Sequence, residues 1–178
     1  MAKVATDKQN ETTLTCLMHA LADVQQTIRA YDTKSEILGV LLTLAIGITN
    51  FTRAVNYTGT PKTLLAISSI TGLVAIIFIG LVLSPRRNLF KKVQLGNYTP
   101  SATYFVTDAA NGPQHSIPAF VTRALATDWV SELTYEALKL SLVRDYKHLW
   151  FRWALWVAGG TFLLIALAVG LADLCNVK

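Results

Sequence analysis

The sequence predicts an all-α membrane protein with three transmembrane helices, on three observations. Residues 63–83, TLLAISSITGLVAIIFIGLVL, contain no charged side chain and would rise about 30 Å as a helix, enough to cross a bilayer. Two further uncharged apolar stretches occupy residues 37–52 and 153–172. Hydrophobic residues make up 52% of the chain, above the ~45–50% usual in soluble proteins, and the mean hydropathy is positive. Apolar segments of this length are rarely buried in soluble cores.

Residues 1–36 are predicted to form a cytoplasmic N-terminal helix that begins at Thr12 after a polar lead. The lead has no apolar signal-peptide core, so the first span is expected to direct membrane insertion. Apolar side chains then recur at two heptad positions, giving the seam Leu14, Leu21, Ile28 and Leu17, Val24, Tyr31. This seam suits either packing on a soluble helix of the same chain or self-association between copies.

A transmembrane helical hairpin is predicted next. It occupies residues 37–83, with spans at 37–52 and 63–83 and an outer turn at 53–62. The first span is bracketed by Glu36 and Arg53 and is slightly short, but Lys34 and Arg53 can extend it by snorkelling. Gly59 and Pro61 break the helix in the turn.

Residues 84–149 are predicted to be a cytoplasmic sensing or connector segment, because Pro85 ends the hairpin and a cluster of cations follows it. After an irregular stretch at 93–117, Ser116 is expected to cap a helix that continues to Leu149. Its expected inward side chains are Phe120, Val121, Leu125, Trp129, Leu133, Leu140 and Val143.

The third transmembrane helix is predicted at residues 150–172, followed by an outer tail at 173–178. Three tryptophans at the start of this span fit the aromatic belt of a membrane interface. Basic residues precede the first and third spans and follow the second one. The positive-inside rule therefore predicts a cytoplasmic N-terminus and an outer C-terminus.

No catalytic or metal-binding motif is present, so the protein is not expected to be an enzyme or to hold a metal or cofactor. His19, His115 and His148 lack ligand spacing. The carboxylates of the connector helix are expected to form a solvated face: Glu132, Glu136 and Asp145. The spans contain no ionisable side chain of the kind that marks ion pathways.

The remaining candidate site is a group of basic and aromatic side chains near the inner face of the membrane. Its candidate ligand-binding residues are Arg86, Arg87, Lys91, Lys92, Tyr104, Lys147 and Arg152. These cations suit either anionic lipid headgroups or the phosphate of a nucleotide whose base stacks on a ring. The rings available for stacking are Tyr98, Tyr104, Phe105 and Trp129. Nucleic acid is not an expected partner, because the basic residues gather beside the spans.

The chain resembles the transmembrane effectors of bacterial pyrimidine-cyclase anti-phage systems, the Pycsar effector family, from about residue 14 to residue 172. The matching segments are Asp32-Thr33-Lys34-Ser35 running into Ile37-Leu38-Gly39, Ser84-Pro85 with Phe90, and the helix from Asp128 to Arg152 with Lys147 five residues before its end. The family positions Asp32, Lys34, Lys147 and Arg152 suit either the ligand or the orientation of the helices. Residues 96–117 match no motif of the family.

This resemblance implies that a separate cyclase makes a cyclic pyrimidine mononucleotide, cCMP or cUMP, during phage infection. The effector is expected to sense it as an activating ligand and to permeabilise the bacterial inner membrane, so that infection is aborted. A homo-oligomer embedded in the lipid bilayer is expected to act. Two other classes stay open: a holin-like or toxin-like protein that kills without a ligand, and a non-catalytic scaffold subunit of a membrane complex.

Overall fold

The computed structural model describes residues 2–56, 59–84, 99 and 117–176, with side chains for 10–51, 59–84, 99, 118 and 120–174. Four helices account for nearly all of these residues. They are α1 (Ala2–Asn56), α2 (Thr60–Leu83), α3 (Ile117–Ala126) and α4 (Trp129–Asn176). No strand occurs within the described ranges. The predicted all-α class is confirmed.

The N-terminal helix and the first span form one continuous helix, α1. It begins well before Thr12, and no proline interrupts its backbone hydrogen bonds. The break between α1 and α2 falls at the expected turn. Gly59 has a φ of 67°, a left-handed conformation that glycine adopts without strain, and Pro61 follows in the first turn of α2.

The helix predicted to run from Ser116 to Leu149 is instead interrupted at Thr127 and Asp128. The interruption has a local cause, because the Asp128 carboxylate caps a new helix. Its Oδ1 accepts hydrogen bonds from the backbone N–H of Val130 at 3.2 Å and of Ser131 at 3.5 Å. From this cap α4 continues without a break into the third span.

Contacts divide the chain into two units. The first comprises residues 1–27 and 86–144, and the second comprises residues 28–85 and 145–178. In the second unit, parts of α1, α2 and α4 pack side by side. Asp32 of α1 contacts Lys147 of α4, and further along both helices Leu38 packs in the same cluster as Ala158. Residue numbers therefore increase in the same direction, so α1 and α4 are parallel. The α2 helix is antiparallel to them, because Ile79 lies near Gly39 whereas Ser69 bonds Asn50.

A heptad repeat lies on the buried face of each of these three segments. Buried residues recur every seven positions in α1 and α4, and alternate steps of three and four separate them in α2. The repeats are Ser35, Leu42, Thr49 in α1, Leu65, Ser68, Gly72, Ala75, Ile79, Val82 in α2, and Lys147, Ala154, Thr161, Ala168 in α4. A 3.5-residue period corresponds to left-handed helix packing.

The second unit is built as a membrane protein, with small or hydroxyl-bearing residues inside and large apolar residues outside. Ala154, Ala158 and Thr161 are at most 1% exposed, whereas Ile48 is 64% and Leu163 62% exposed. Small residues at helix interfaces let backbones approach closely in a bilayer, where apolar burial gives little driving force. Helices α1, α2 and α4 are long and apolar enough to cross a membrane.

The first unit contains the middle of the predicted heptad seam. Leu21 and Val24 are buried within the single chain, which supports the interpretation that the seam packs on the protein's own helices. In the connector helix Leu133 is buried as predicted, and Trp129, Leu140 and Val143 are partly buried. The prediction is wrong for three other residues, which are exposed on the short helix α3: Phe120, Val121 and Leu125.

The predicted solvated carboxylate face is also wrong at two of its three positions. Glu132 is fully buried and Glu136 is 3% exposed, while Asp145 is exposed. Glu132 and Glu136 share one face of α4, at the spacing of one helical turn. The ammonium of Lys139 lies 2.7 Å from Glu136 Oε1, and this ion pair offsets part of the cost of burying the carboxylate.

Candidate functional site

An ion pair joins α1 to α4 in the second unit. The Lys147 ammonium donates a hydrogen bond to Asp32 Oδ1. The Lys147 side chain is 11% exposed and that of Asp32 is 32% exposed. A lysine ammonium buried to this degree is costly unless it is paired, so the carboxylate of Asp32 fixes the position of Lys147.

A second polar contact lies beside this pair. The Tyr31 hydroxyl and His148 Nδ1 are 2.9 Å apart, and the two rings meet edge to face with centroids 5.8 Å apart. The Tyr31 ring also lies 5.6 Å from that of Phe151, one turn further along α4. Consecutive residues of α1 therefore contact consecutive residues of α4. Together the contacts of Tyr31 and Asp32 fix the register of the two helices.

The α2 helix contributes an aromatic contact to the same end of the unit. Phe78 packs on Trp150, with ring centroids 5.6 Å apart, and Trp150 also packs on Tyr146. Two buried polar atoms nearby, Ser35 Oγ and Trp150 Nε1, have no hydrogen-bond partner within the described part of the chain. The four residues Tyr31, Asp32, Lys147 and His148 are called here the interhelical cluster.

The interhelical cluster lies where the chain enters and leaves the second unit. Leu83, near the C-terminal end of α2, lines one groove with Ser35 and Glu36 of α1. The boundary residues Ile28 and Asp145 lie within one turn of the cluster along α1 and α4. All three boundaries between the two units therefore lie at this end of the second unit.

Of the predicted site residues, the structure brings together Asp32 and Lys147. Arg152 lies elsewhere, because five residues along an α-helix correspond to a rotation of about 140°. It is exposed and lines a groove with Leu149, Trp153 and Trp156. Lys34 is exposed as well. The remaining candidates lie outside the described residues: Arg86, Arg87, Lys91, Lys92, Tyr104 and the stacking candidates Tyr98 and Phe105.

Sequence reasoning missed the contact between Tyr31 and His148. No spacing rule indicated this contact, because neighbouring residues of an α-helix are rotated by about 100° from each other and a pair at one position does not place its neighbours in contact. Within the described residues, no three His, Cys, Asp or Glu side chains converge as metal ligands would. The polar groups of the cluster are already bonded to one another, an arrangement that holds helices in register.

The fold and the cluster define a three-span helical membrane protein whose spans are joined by polar contacts at one end. Residues 16–172 match the family model of the Pycsar effector protein domain. The chain belongs to this family, and the resemblance predicted from the sequence is confirmed. It is therefore a membrane effector of cyclic-nucleotide-linked anti-phage defence, in a family of effectors rather than of known catalysts. No curated protein and no solved structure matches the chain.

Proposed function

We propose that this protein senses a cyclic pyrimidine mononucleotide, cCMP or cUMP, and then permeabilises the bacterial inner membrane. A separate cyclase supplies the nucleotide during infection. The observation that carries the proposal is the family match, which extends over all three spans and most of the segment between the second and third. In this arrangement the N-terminus and residues 84–149 are cytoplasmic, where the nucleotide is made.

The nucleotide phosphate is proposed to bind the cations that follow α2, which are Arg86, Arg87, Lys91 and Lys92, while Tyr104 stacks on the base. Arginine offers two parallel donors to a phosphate, and a pyrimidine stacks on a tyrosine ring at little conformational cost. Lys147 is already neutralised by Asp32. We assign it a positioning role, in which it transmits a shift of the connector segment to the first and third spans.

Activation is proposed to be a population shift between two arrangements of the spans. The interhelical cluster holds α1 and α4 in one register, and ligand binding favours a second arrangement by its differential affinity for it. In a homo-oligomer of this second arrangement, the buried hydroxyls of the bundle become available to line a pore or to perturb lipid packing. They are Ser35, Thr49, Ser68 and Thr161.

The test uses purified full-length protein in vesicles loaded with a fluorescent dye. Adding cCMP or cUMP is expected to release the dye, whereas cAMP and cGMP at the same concentration release none. Leakage without any nucleotide would overturn the proposal and indicate a toxin-like protein. Intact vesicles under all conditions would also overturn it and favour a scaffold subunit.

The ligand site is tested separately with a charge-matched pair of variants. Replacing both Arg86 and Arg87 with Gln is expected to abolish nucleotide binding in calorimetry while leaving the melting temperature unchanged. The control, Arg29→Gln combined with Lys62→Gln, also removes two exposed cations, one from α1 and one from α2, and is expected to bind normally. Equal binding by both variants would overturn the assignment of the two arginines.

A further inference from the structure

An exposed groove lies on α4 where the third span begins. Leu149, Arg152, Trp153 and Trp156 line it and share one face of the helix, at spacings of three and four residues. Its volume is about 390 Å³, and Trp156 is 70% exposed. The groove therefore combines one guanidinium with two indole rings and an aliphatic side chain. It is called here the interfacial groove.

A second groove adjoins it deeper in the span. It has a volume of about 360 Å³ and is lined by Leu38 of α1 with Leu155, Trp156, Ala158, Gly159 and Phe162 of α4. Trp156 lines both grooves, so they adjoin at its ring. A Cβ at Gly159 would meet no atom within 4 Å, so the space over this residue is open. This lining carries no charged side chain and is called here the apolar crevice.

We propose that the two grooves together form a binding site for one anionic phospholipid. The phosphate pairs with the Arg152 guanidinium in the interfacial groove, and an acyl chain lies in the apolar crevice. From Arg152 to Phe162 the helix rises about 15 Å, which is half of the ~30 Å hydrocarbon thickness. The site therefore has the depth of a single leaflet.

Charge complementarity determines the class of lipid. Arg152 does not take part in the ion pair that neutralises Lys147. An arginine at a membrane interface can form two hydrogen bonds to a phosphate, and a net negative headgroup adds Coulomb attraction. Tryptophan is suited to the same depth, because its ring is apolar and its N–H can bond a headgroup. A second copy seated symmetrically on this groove would bring two Arg152 side chains together without a counter-charge.

The site also has a consequence for the packing of the spans. Its crevice is formed by Leu38 of α1 together with residues of α4, the same two helices that the interhelical cluster joins. A bound acyl chain would therefore contact both helices and stabilise this arrangement over one in which they separate. Lipid binding is independent of the nucleotide, so its test does not depend on the proposed function.

The experiment measures quenching of tryptophan fluorescence by brominated lipids in the full-length protein, without nucleotide. Brominated phosphatidylglycerol is expected to quench at about fivefold lower mole fraction than brominated phosphatidylcholine, the preference that one cation beside an anionic headgroup provides. Arg152→Gln is expected to remove this preference. Trp156→Phe is expected to reduce the quenched signal, and Trp153, the other indole ring of the interfacial groove, supplies the remainder. Gly159→Leu fills the crevice and is expected to weaken quenching by both lipids.

Matched controls separate the site from general effects of charge and volume. Lys34→Gln removes another exposed cation and is expected to keep the fivefold preference. Gly160→Leu adds the same volume to the neighbouring glycine, which is not in the lining of the crevice. Equal quenching by the two lipids, or a preference unchanged in Arg152→Gln, would overturn the proposal. A Gly159→Leu variant that no longer cross-links into oligomers but is quenched normally would also overturn the proposal, because a second copy would then occupy the crevice.

Discussion

The hydroxyl of Thr161 in α4 lies 3.0 Å from the hydroxyl of Thr71 in α2, in the interior of the three packed helices. Each hydroxyl also bonds a carbonyl of its own helix, that of Val157 at 2.9 Å and that of Ser68 at 3.0 Å. The two hydroxyls have two protons for these three hydrogen-bond contacts, so the bond between the helices competes with the bonds to the backbone carbonyls. Hydroxyls at this depth therefore join helices at a modest energy.

Replacing Thr161 with Val is expected to destabilise the bundle by about 0.6 kcal/mol, the average for a polar contact between membrane helices. Valine has the shape of threonine and keeps the packing, so the loss reports the hydroxyl. The measurement is unfolding in mixed micelles. Thr43→Val is the control, because Thr43 is exposed and bonds only its own helix, at Gly39. Equal losses in the two variants would contradict an interhelical role.

Breaking the ion pair between Asp32 and Lys147 is expected to destabilise the bundle more than Thr161→Val does. Asp32→Asn should lower the free energy of unfolding by about 2 kcal/mol, because it leaves the ammonium of Lys147 largely buried without a counter-charge. The double variant Asp32→Asn, Lys147→Gln should recover part of this loss, since no unpaired charge remains. A double-mutant cycle in micelles gives the coupling between the two residues.

Glu36→Gln is the matched control for the ion pair. Glu36 follows one turn after Asp32 on α1 and is exposed. Removing its charge is expected to change stability by less than about 0.5 kcal/mol. If the cycle gave a coupling energy near zero, the contact would not hold α1 and α4 in register. The positioning role assigned to Lys147 would then fail.

The spans and their order could be predicted from the sequence, because a transmembrane helix is recognised by one local property, a long apolar stretch without charged residues. The repeat through α1 could be predicted only in part. The seam from Leu14 to Tyr31 is apolar, but its continuation places Ser35 and Thr49 inward. In a bilayer small and hydroxyl residues pack inside, so hydrophobicity no longer marks the buried face.

The polar sites were harder to predict because their partners are distant in sequence. Asp32 and Lys147 were identified through the family motif, but their pairing across the helices depends on register. The burial of Glu132 and Glu136 was missed, since charged positions on a helix usually face water. Lys139 at one turn from Glu136 was the available signal, because it supplies the counter-charge.

The start of α4 is expected to weaken at low pH through Asp128. The Ser131 side chain donates a 2.6 Å hydrogen bond to this carboxylate, and this bond, with those from the backbone of Ser131 and Val130, lowers the pKa of Asp128 below its usual 3.8. A lowered folded pKa favours the ionised form in the folded state. The stabilisation is therefore complete above the unfolded pKa and is lost as the pH falls through the folded one.

Hydrogen exchange of the first turn of α4 measures the effect of this cap. Asp128→Ala is expected to destabilise the turn by about 1 kcal/mol at neutral pH. Asp128→Asn keeps a capping oxygen, so most of the protection should remain but its loss as the pH falls below the usual carboxyl pKa of 3.8 should disappear. A wild-type protein whose protection was the same in the protonated and ionised states of Asp128 would contradict an ionised cap.

Gly72 lies where α1 and α2 approach closely, so a larger side chain there would have to displace side chains of α1. A Cβ there would overlap Ile46 Cδ1 and lie 3.2 Å from Leu42 Cδ2, both on α1. Gly72→Val is therefore expected to destabilise the hairpin by about 1–3 kcal/mol through overpacking, measured by unfolding in micelles. Gly80→Val is the matched control on the same helix, because a Cβ at Gly80 meets no atom within 4 Å. Equal melting temperatures for the two variants would contradict this packing, because the substitutions change the same volume and propensity and differ only in what they meet.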